Sequence, residues 1–465
     1  MGVLLKKPIV LSICLALSGC MNIPKLAENY QESINLPANW QQQSESMTVQ
    51  DNWLAQFGDE NMMQLVHQAL DKNYALQAKA FQVAIKEQQL ISSGAVFWPS
   101  FDVSLRSSRT KNTQTETLTT THSLNLNLSY ELDLWGKLSD ADRQANLDFL
   151  AEQALFMQAK QSLVAQVATA WFKIIEAEQL LKLYQKRAAN AEQNLIIIAS
   201  GYEQGLNSAL DVYLTRNEVN NELSRVSTQQ AELVKAKRIL ELLTGAYPAG
   251  ELIVNADLPK LDSAISLGLP ANLLTKKPAL VASWYQLLAK DANVAYAHKQ
   301  RFPALKLTGS LGNSDSELKE LLSPSSLAWS LVSNITAPIF NAGKLAAEQE
   351  RARLDRQISE QNYLDTLFNA FSDVENALTT EQSLQQRYIT TVRAQENAEA
   401  AQTLAFEQYQ SGLVEYTTVL ESQKRAFDAQ SSVIQIKSQL LSNRINLHLA
   451  LGGAFSAPSE LVEAK

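Results

Sequence analysis

Residues Lys137 to Ser200 read KLSDADRQANLDFLAEQALFMQAKQSLVAQVATAWFKIIEAEQLLKLYQKRAANAEQNLIIIAS and contain neither glycine nor proline over 64 positions. A second segment, Lys344 to Ser411, runs for 68 residues under the same restriction. Glycine and proline interrupt helices, so each segment is predicted to form one long helix. At about 1.5 Å per residue each helix is roughly 100 Å long, about three times the ~30 Å hydrocarbon core of a bilayer. Charged side chains occur throughout both segments, so the two helices are predicted to lie in water.

The composition indicates a folded, acidic protein. The chain has 465 residues, of which 46% are hydrophobic and 19% charged, which excludes a disordered chain and predicts two or three domains. A sequence pI near 5.3 argues against nucleic acid or an anionic membrane surface as the main partner. Both cysteines, Cys14 and Cys20, lie at the extreme N-terminus, so no disulfide framework is expected in the body of the protein.

Residues 1–19 are predicted to form a cleaved export signal. Lys6 and Lys7 precede an apolar segment, 9–17, that is too short to span a membrane. The segment ends in Leu17-Ser18-Gly19-Cys20, which resembles the lipobox of bacterial lipoproteins, where the cysteine is acylated and becomes the new N-terminus. We therefore expect a covalent lipid on Cys20, and an ordinary secretory signal is the alternative. No later run of 18 apolar residues occurs, so no transmembrane helix is predicted.

The side-chain period changes from helical to alternating before the first long helix. Between Leu124 and Leu134 apolar residues alternate with polar ones, which is the pattern of a β-strand with one apolar face. Phe101, Val103 and Leu105 alternate in the same way, and the polar segment 107–122 between the two strands is predicted to be a loop. Each half of the chain is predicted to supply two such strands, so one chain has four.

The second half of the chain repeats the first at an offset of about 207 residues. The repeated segments are Gly136-Lys137-Leu138 with Gly343-Lys344-Leu345, and Tyr202-Glu203-Gln204-Gly205-Leu206 with Tyr409-Gln410-Ser411-Gly412-Leu413. Each repeat is predicted to contain two strands, a long helix and a return helix, the latter over 206–244 and 413–451. A further helix is predicted over 59–93. The predicted divisions are an N-terminal tether 20–58, a first repeat 59–248, a linker 249–270 in an equatorial region, a second repeat 271–452 and a tail 453–465.

Four strands limit what one chain can do in a membrane. A membrane-spanning sheet must close on itself, because lipid cannot hydrogen-bond an unpaired strand edge, and bacterial barrels begin at about eight strands. If these strands enter a membrane, several chains must therefore share one barrel. The alternative is a soluble four-stranded sheet that packs on the helices.

Short motifs occur in order along nearly all of the mature chain, and in combination they are specific for one protein family. They are Asp51-Asn52-Trp53 with Phe57-Gly58-Asp59, Trp98-Pro99-Ser100, Asp133-Leu134-Trp135-Gly136-Lys137, Leu243-Thr244-Gly245, Arg301-Phe302-Pro303-Ala304-Leu305, Ala337-Pro338-Ile339-Phe340-Asn341-Ala342-Gly343-Lys344 and Asp373-Val374-Glu375-Asn376-Ala377-Leu378. On these motifs the chain resembles the TolC-like outer-membrane efflux proteins, in particular the lipoprotein outer-membrane factors (NodT type) of RND-type pumps. In one departure, Lys277-Pro278-Ala279 stands where relatives often have Arg-Pro-Asp.

The resemblance implies a fold and a function. The implied fold is mainly α with a small membrane β-barrel part: a homotrimer whose twelve-stranded barrel continues into an α-helical coiled-coil tunnel in the periplasm. The implied function is a passive exit duct for drugs or other small toxic compounds, with a periplasmic adaptor and an inner-membrane RND-type transporter as partners. A type I protein-secretion duct is an alternative within this class, and a periplasmic coiled-coil scaffold or adhesin is an alternative outside it.

The resemblance also assigns roles to residues near the two helix turns. Asp211 corresponds to an acid that ties neighbouring helices in the closed state, Tyr409 to a gate tyrosine and Glu421 to an acid that rings the pore. Some relatives place an arginine where this chain has Val414, which implies a looser closed state. The alternative is that Asp211 is a helix N-terminal acid, which the helix dipole favours, and that Glu421 is a solvated helix residue.

The turns themselves are predicted contact points for the adaptor. The residues concerned are Gly205, Leu206, Gly412 and Leu413, and the same pattern also suits an ordinary helix-ending turn.

No pattern of catalytic or metal-ligating residues occurs. The four histidines, His67, His122, His298 and His448, are scattered without cysteine or histidine partners at ligand spacing. Neither glycine-lysine-leucine repeat has the Ser/Thr and upstream glycine of a phosphate loop. The chain is therefore predicted not to be an enzyme and to need no metal or cofactor apart from the lipid on Cys20.

Overall fold

The computed structural model describes residues 26, 30–41, 53–254, 256–260, 269–323 and 327–453, so the predicted signal peptide and Cys20 lie outside the described residues. The same order of strands and long helices occurs twice along the chain. The elements are α1 (Tyr30–Ser33), α2 (Glu60–Lys72), α3 (Tyr74–Gly94), β1 (Ser100–Lys111), β2 (Leu118–Leu132), α4 (Lys137–Glu203), α5 (Ala209–Leu243), α6 (Leu273–Lys276), α7 (Pro278–Lys299), β3 (Ala304–Asp315), β4 (Ala328–Thr336), α8 (Lys344–Gln410) and α9 (Tyr416–Ala450), with short 3-10 helices at Trp53–Phe57, Ala95–Phe97, Pro270–Asn272 and Leu318–Leu322.

The helices of the second half match those of the first in length. The long helices α4 and α8 have 67 residues each, and the return helices α5 and α9 have 35 each. Both pairs start 207 residues apart, which is the offset of the sequence repeats. Helix α4 extends past its predicted end at Ser200 and includes Gly201, where a Cβ would collide with the side chain of Asn207. The long helices therefore form where the absence of glycine and proline predicts them.

The single helix predicted over 59–93 is interrupted at Asn73. The backbone of Asn73 is extended (ψ 118°), and it separates α2 from α3. Its side-chain Oδ1 accepts a hydrogen bond from the amide of Leu76 at 2.9 Å, and its Nδ2 donates to the carbonyl of Leu243 at 3.0 Å. An asparagine can leave the helix here because its side chain caps α3 and bonds the end of α5.

The strands form one antiparallel sheet in the order β1-β2-β3-β4. The prediction of a loop over 107–122 is wrong for most of that segment, because β1 continues to Lys111 and β2 begins at Leu118. The pairs from Ser107↔His122 to Lys111↔Leu118 are polar on both faces except Leu118. Backbone hydrogen bonds between the strands, which need no apolar face, hold this part of the hairpin.

The described residues divide into two compact units, and each unit draws on both repeats. One unit combines segments of 1–35, 82–153 and 282–365 and contains the sheet. The other combines segments of 36–81, 154–281 and 366–465. This division differs from the predicted repeats because the units group residues that contact one another in space, whereas the repeats are consecutive segments of the chain. The predicted repeat boundaries stay predictions.

The second unit has a core built around Trp171 and Phe172. Both side chains are buried, and the indole Nε1 of Trp171 donates to Oδ2 of Asp59 at 2.6 Å. The other carboxylate oxygen of Asp59 accepts from the amide of Met62 at 3.0 Å and so caps α2. Phe57 meets the ring of Phe172 at 5.2 Å between centroids. The motif Phe57-Gly58-Asp59 therefore has a structural role in this core.

A buried ion pair joins the helices of the second unit. Nη2 of Arg187 on α4 donates to Oε1 of Glu222 on α5 at 2.8 Å, and both side chains are 2% exposed. The guanidinium also faces Phe427 at 4.7 Å from the ring centre and Asp428 at 3.7 Å, both on α9. Burial raises the pKa of Glu222, and the charge of Arg187 opposes that rise.

His448 on α9 is buried in the same unit. Its ring stacks on Trp53 at 5.3 Å, and its Nε2 lies 2.7 Å from Nε2 of Gln56. Burial, and after it the charge of Arg444, lowers the pKa of His448 to about 4.

In the part of the chain that the structure describes, no helix is both long and apolar enough to cross a membrane.

Replacing Glu222 with Gln should lower the free energy of unfolding by about 3 kcal/mol, because Arg187 would keep its buried charge without its main partner. Chemical denaturation of the purified variant would measure the loss. The matched control is Glu232→Gln, which removes the partner of Lys235 in an exposed pair on the same helix and should cost less than about 1 kcal/mol. Equal losses in both variants would contradict the assignment.

His448 should make folding less stable in acid. Between pH 6.5 and about pH 4 the unfolded chain binds a proton at this site and the folded chain does not, so stability is fully present above pH 6.5 and falls as the pH is lowered. The contribution is of the order of 3 kcal/mol. Unfolding measured at pH 7 and pH 4 should show a smaller acid loss in His448→Gln than in the wild type, and an equal loss in the two proteins would contradict this assignment.

Candidate functional site

One face of the sheet is a continuous apolar surface, here called the apolar face. The register aligns the alternating side chains of all four strands, so that Val103, Leu126, Leu311 and Trp329 form one row across the sheet. Most of the large side chains on this face are exposed. The apolar face consists of Phe101, Val103 and Leu105 on β1, Leu124, Leu126, Leu128, Tyr130 and Leu132 on β2, Leu305, Leu307, Gly309 and Leu311 on β3, and Trp329, Leu331 and Ile335 on β4. Two polar residues share this face, Ser333 on β4 and the buried Asn313, which pairs with Leu124.

The opposite face, here called the polar face, carries hydrogen-bonding and charged groups. Nδ2 of Asn127 donates to Oγ of Ser104 at 3.0 Å and faces Oδ1 of Asp102 at 3.3 Å on the neighbouring strand. Glu131 pairs with Lys306 on β3 at 3.6 Å and with Lys137 at the start of α4. The sheet therefore has one face suited to an apolar medium and one suited to water.

The junction between β2 and α4 is fixed by the motif Asp133-Leu134-Trp135-Gly136-Lys137. The carboxylate of Asp133 accepts from the amides of Leu138 at 2.9 Å and Ser139 at 2.8 Å, so it caps the helix. The indole of Trp135 donates to the carbonyl of Pro303 at 2.7 Å and ties β2 to the start of β3. The motif thus sets the direction in which the helix leaves the sheet.

Both long helices end in the same type of turn. Gly205 and Gly412 have positive φ (76° and 72°), a conformation that glycine adopts without strain. The amides of Leu206 and Leu413 donate back to the carbonyls of Gly201 and Gln408, and this pair of turns has the bonding of a Schellman motif. The side chains of Leu206 and Leu413 are 77% and 74% exposed. Each turn therefore presents one apolar side chain to its surroundings.

Asp211 and Tyr409 are each hydrogen-bonded to a residue of the first turn, Ser208 and Asn207 respectively. Asp211 forms a capping box with Ser208: the Ser208 amide and hydroxyl donate to its Oδ2 at 3.1 and 2.8 Å, and its own amide donates to Ser208 Oγ. The Tyr409 hydroxyl donates to Oδ1 of Asn207 at 2.9 Å, and Nδ2 of Asn207 donates to the carbonyl of Ile198. Burial, followed by the charge of Asp211, raises the pKa of Tyr409.

Glu421 lies on the exposed surface of α9. Its Oε1 accepts from Nε of Arg425 at 2.9 Å, one turn further along the helix. The structure therefore gives Glu421 a cationic neighbour that the sequence interpretation did not consider. The spacing of four residues is the signal that could have revealed it.

The two turns differ in how their following helices begin. Ser208 caps α5 through its side chain, whereas the equivalent Glu415 makes no such bond to α9. Asn207, which joins Tyr409 to α4, has Val414 as its counterpart in the second turn. The sequence interpretation missed Asn207 and Ser208, although Ser208 and Asp211 have the spacing of a capping box.

Lys277 stands in place of the arginine of related sequences and has a clear contact. Its Nζ lies 3.3 Å from Oδ2 of Asp373, while Pro278 opens α7. Asp373 belongs to one of the motifs that carry the family resemblance, so Lys277 forms an ion pair with that motif.

Comparisons with known proteins agree on one family. The sequence profile described as "Outer membrane efflux protein" matches residues 65–246 and 269–453. The chain is 28% identical to the toluene efflux pump outer membrane protein TtgI of Pseudomonas putida, with 86% of this chain and 87% of that protein covered. It is 28% identical to the cation efflux system protein CusC of Escherichia coli O6:H1, with 95% and 97% covered. Its fold matches that of the outer-membrane channel OprN with a TM-score of 0.86 at 23% identity, with 94% of this chain and 99% of that chain covered.

Replacing Tyr409 with Phe should loosen the turn after α4, because Asn207 loses the hydroxyl that holds it. Loss of one hydrogen bond should lower the stability of the turn by about 1 kcal/mol, which corresponds to roughly fivefold faster amide exchange through opening of the turn. Amide hydrogen exchange at residues 204–208 would measure it. Tyr202, at the equivalent position of the first repeat and half exposed, provides the matched control Tyr202→Phe, which should leave exchange unchanged. The same exchange rates in both variants would show that the Tyr409 bond does not hold the turn.

Proposed function

This chain belongs to the outer membrane efflux protein family, and on that premise we propose that it works as a homotrimeric exit duct with a shared β-barrel. The family is that of outer-membrane efflux channels, which are not enzymes. The observation that carries the finer proposal is the sheet, which has one continuous apolar face and one polar face.

The dimensions of the apolar face support its contact with lipid. From Leu124 to Leu132 the face extends about 27 Å along β2, which is about 20 Å along the membrane normal at the usual tilt of barrel strands. This height is comparable with the outward apolar band of about 25 Å that membrane barrels carry. The aromatic residues Trp329 and Tyr130 lie toward its two ends, as in the aromatic girdles of such barrels. The polar face would then line the water-filled interior.

Strand number supports three copies rather than two. β1 and β4 are the end strands of the sheet, and lipid offers no hydrogen bonds to their outer edges. Two copies would give eight strands, and the interior of an eight-stranded barrel is about filled by its own side chains. Three copies give twelve strands and leave an open passage, with β4 of one copy pairing with β1 of the next.

The helix turns are proposed as the adaptor contact. Gly205 and Gly412 let each chain turn back sharply, and Leu206 and Leu413 are the exposed apolar residues at the two turns. In a trimer this arrangement would be repeated six times, which suits a hexameric adaptor. The inner-membrane transporter would supply the energy.

Gate and selectivity roles are proposed for Asp211, Tyr409 and Glu421. Threefold symmetry would bring three Glu421 carboxylates around one axis, where they would attract cations. Arg425 neighbours each of them, so the ring would carry less net negative charge than the acids alone. Tyr409 and Asp211 would hold the turns of one copy together through Asn207 and Ser208.

The proposed cargo is drugs or other small toxic compounds. The two relatives named above have the same identity to this chain, and one is named for toluene and the other for cations. Similarity to both supports a duct that accepts what its transporter delivers. The lipobox further supports a covalent lipid on Cys20 as an anchor to the outer membrane.

The mass of the detergent-extracted, unheated mature protein tests the shared barrel. A species of three times the chain mass that conducts ions in a planar bilayer is the expected result, because only closure by several copies satisfies the outer edges of β1 and β4. A monomer that does not conduct would overturn the duct and favour a soluble scaffold.

Ion selectivity tests the Glu421 ring. Glu421→Gln should lower the preference of the channel for cations, and Arg425→Gln should raise it, because the first change removes negative charge from the ring and the second removes the neighbouring positive charge. Reversal potentials in a salt gradient would measure both. The exposed pair of Glu350 and Arg353 on α8 provides the control Glu350→Gln, which should not change selectivity. Unchanged selectivity in both test variants would remove Glu421 from the pore.

A further inference from the structure

The apolar face of β1 continues into a cationic segment. Because side chains alternate along a strand, the residues that follow Phe101, Val103 and Leu105 on the same face are Ser107, Arg109 and Lys111. Their partners on β2 are His122, Thr120 and Leu118, in a register without interruption. Arg109 and Lys111 therefore lie beyond the apolar band but on the side of the sheet that faces outward.

Both cations are available for a ligand. Arg109 and Lys111 are exposed, and neither forms an ion pair with another residue in the described part of the chain. The hairpin 106–118 has three cationic side chains and one acidic one, Glu116, whereas the whole chain has a net charge of −8. The local excess of positive charge therefore opposes the overall charge of the protein.

Arg109 lies within side-chain reach of the headgroup layer, and Lys111 stands about 5 Å further from the hydrocarbon along the membrane normal. Arg109 lies four residues beyond Leu105, about 14 Å along the strand and about 10 Å along the membrane normal at the usual tilt of barrel strands. The polar headgroup layer begins where the hydrocarbon ends and is some 5–8 Å deep on each side. The long side chains of Arg and Lys can reach back into this layer while the backbone stands above it.

We infer that Arg109 and Lys111 form a docking surface for anionic, phosphate-bearing lipid headgroups in the leaflet that faces the β1–β2 hairpin. The inference rests on the proposed function, because it requires the apolar face to contact lipid. The guanidinium of Arg109 suits a bidentate contact with phosphate oxygens, and Lys111 adds a second charge one step further from the hydrocarbon. The helices leave from the opposite strand ends, at Lys137, so this leaflet would be the outer one.

The acidic groups nearby do not outnumber the three cations of the hairpin. Asp315, the β3 partner of His122, lies on the same face and keeps its negative charge, since the amide of Glu317 and the hydroxyl of Ser316 that donate to its Oδ1 stabilise the carboxylate. Glu317 pairs with Lys319 at 2.8 Å. These acids lie on the far side of β2 from β1. Glu116 is in the hairpin turn itself, where its carboxylate is the one negative charge among the three cations.

The test compares lipid retention by variants that remove cations from one face of β1 or from the other. The mature full-length protein in detergent would be titrated with phosphatidylglycerol or with phosphatidylcholine of the same acyl chains, and bound lipids would be counted by native mass spectrometry. Each cation near a membrane surface is worth about fivefold in affinity, so the double change Arg109→Gln with Lys111→Gln should weaken phosphatidylglycerol binding roughly 30-fold. Phosphatidylcholine binding should not change.

Arg106 provides the matched control, because it stands on the same strand but on the polar face. Arg106→Gln should leave phosphatidylglycerol retention unchanged, and free inorganic phosphate should not compete if a lipid rather than a soluble ion is recognised. Equal losses in Arg106→Gln and Arg109→Gln, or no loss in the double variant, would overturn the inference. Failure of the proposed function is distinguishable, since the wild-type protein would then neither assemble nor conduct in a phosphatidylcholine bilayer.

Discussion

The backbone edges of the sheet impose the constraint on which the proposed assembly depends. In water, solvent could hydrogen-bond the outer edges of β1 and β4, whereas the lipid contact that we propose for the apolar face would leave them unbonded. Closing those edges would then require further strands, which other copies of the chain would supply. The proposed oligomer would in this sense be a consequence of backbone chemistry together with side-chain alternation.

The motifs that identify the family serve the geometry of the fold. Asp59 caps one helix and bonds the indole of Trp171, Asp133 caps another, and Trp135 ties a strand end to the carbonyl of Pro303. These contacts control how a strand passes into a helix and how helices pack. A duct depends on the directions of its strands and helices rather than on reactive side chains. This explains why the motifs contain no recognisable catalytic or metal-binding pattern.

The helical unit also contains polar groups that an apolar core would avoid. Arg187 and Glu222 form a buried pair, and His448 is held neutral between Trp53 and Gln56. Buried pairs contribute little net stability, because desolvation offsets their attraction. Long helices with similar apolar stripes could pack in more than one register. A buried ion pair that can form in only one register disfavours the other registers, because they would leave its charges unpaired. We regard register as the main contribution of these groups.

The sequence by itself determined the features that depend on near neighbours in the chain. The lack of glycine and proline set the long helices, alternation set the two faces of the strands, and the repeated motifs set the offset of 207 residues. Tertiary structure decided the features that depend on distant partners. The helix break at Asn73 relies on a hydrogen bond to the carbonyl of Leu243. The polar half of the hairpin relies on backbone pairing between β1 and β2. The buried guanidinium of Arg187 relies on its ion pair with Glu222. Local patterns carry no record of these partners, since a hydrogen bond between distant residues leaves no periodicity in the sequence.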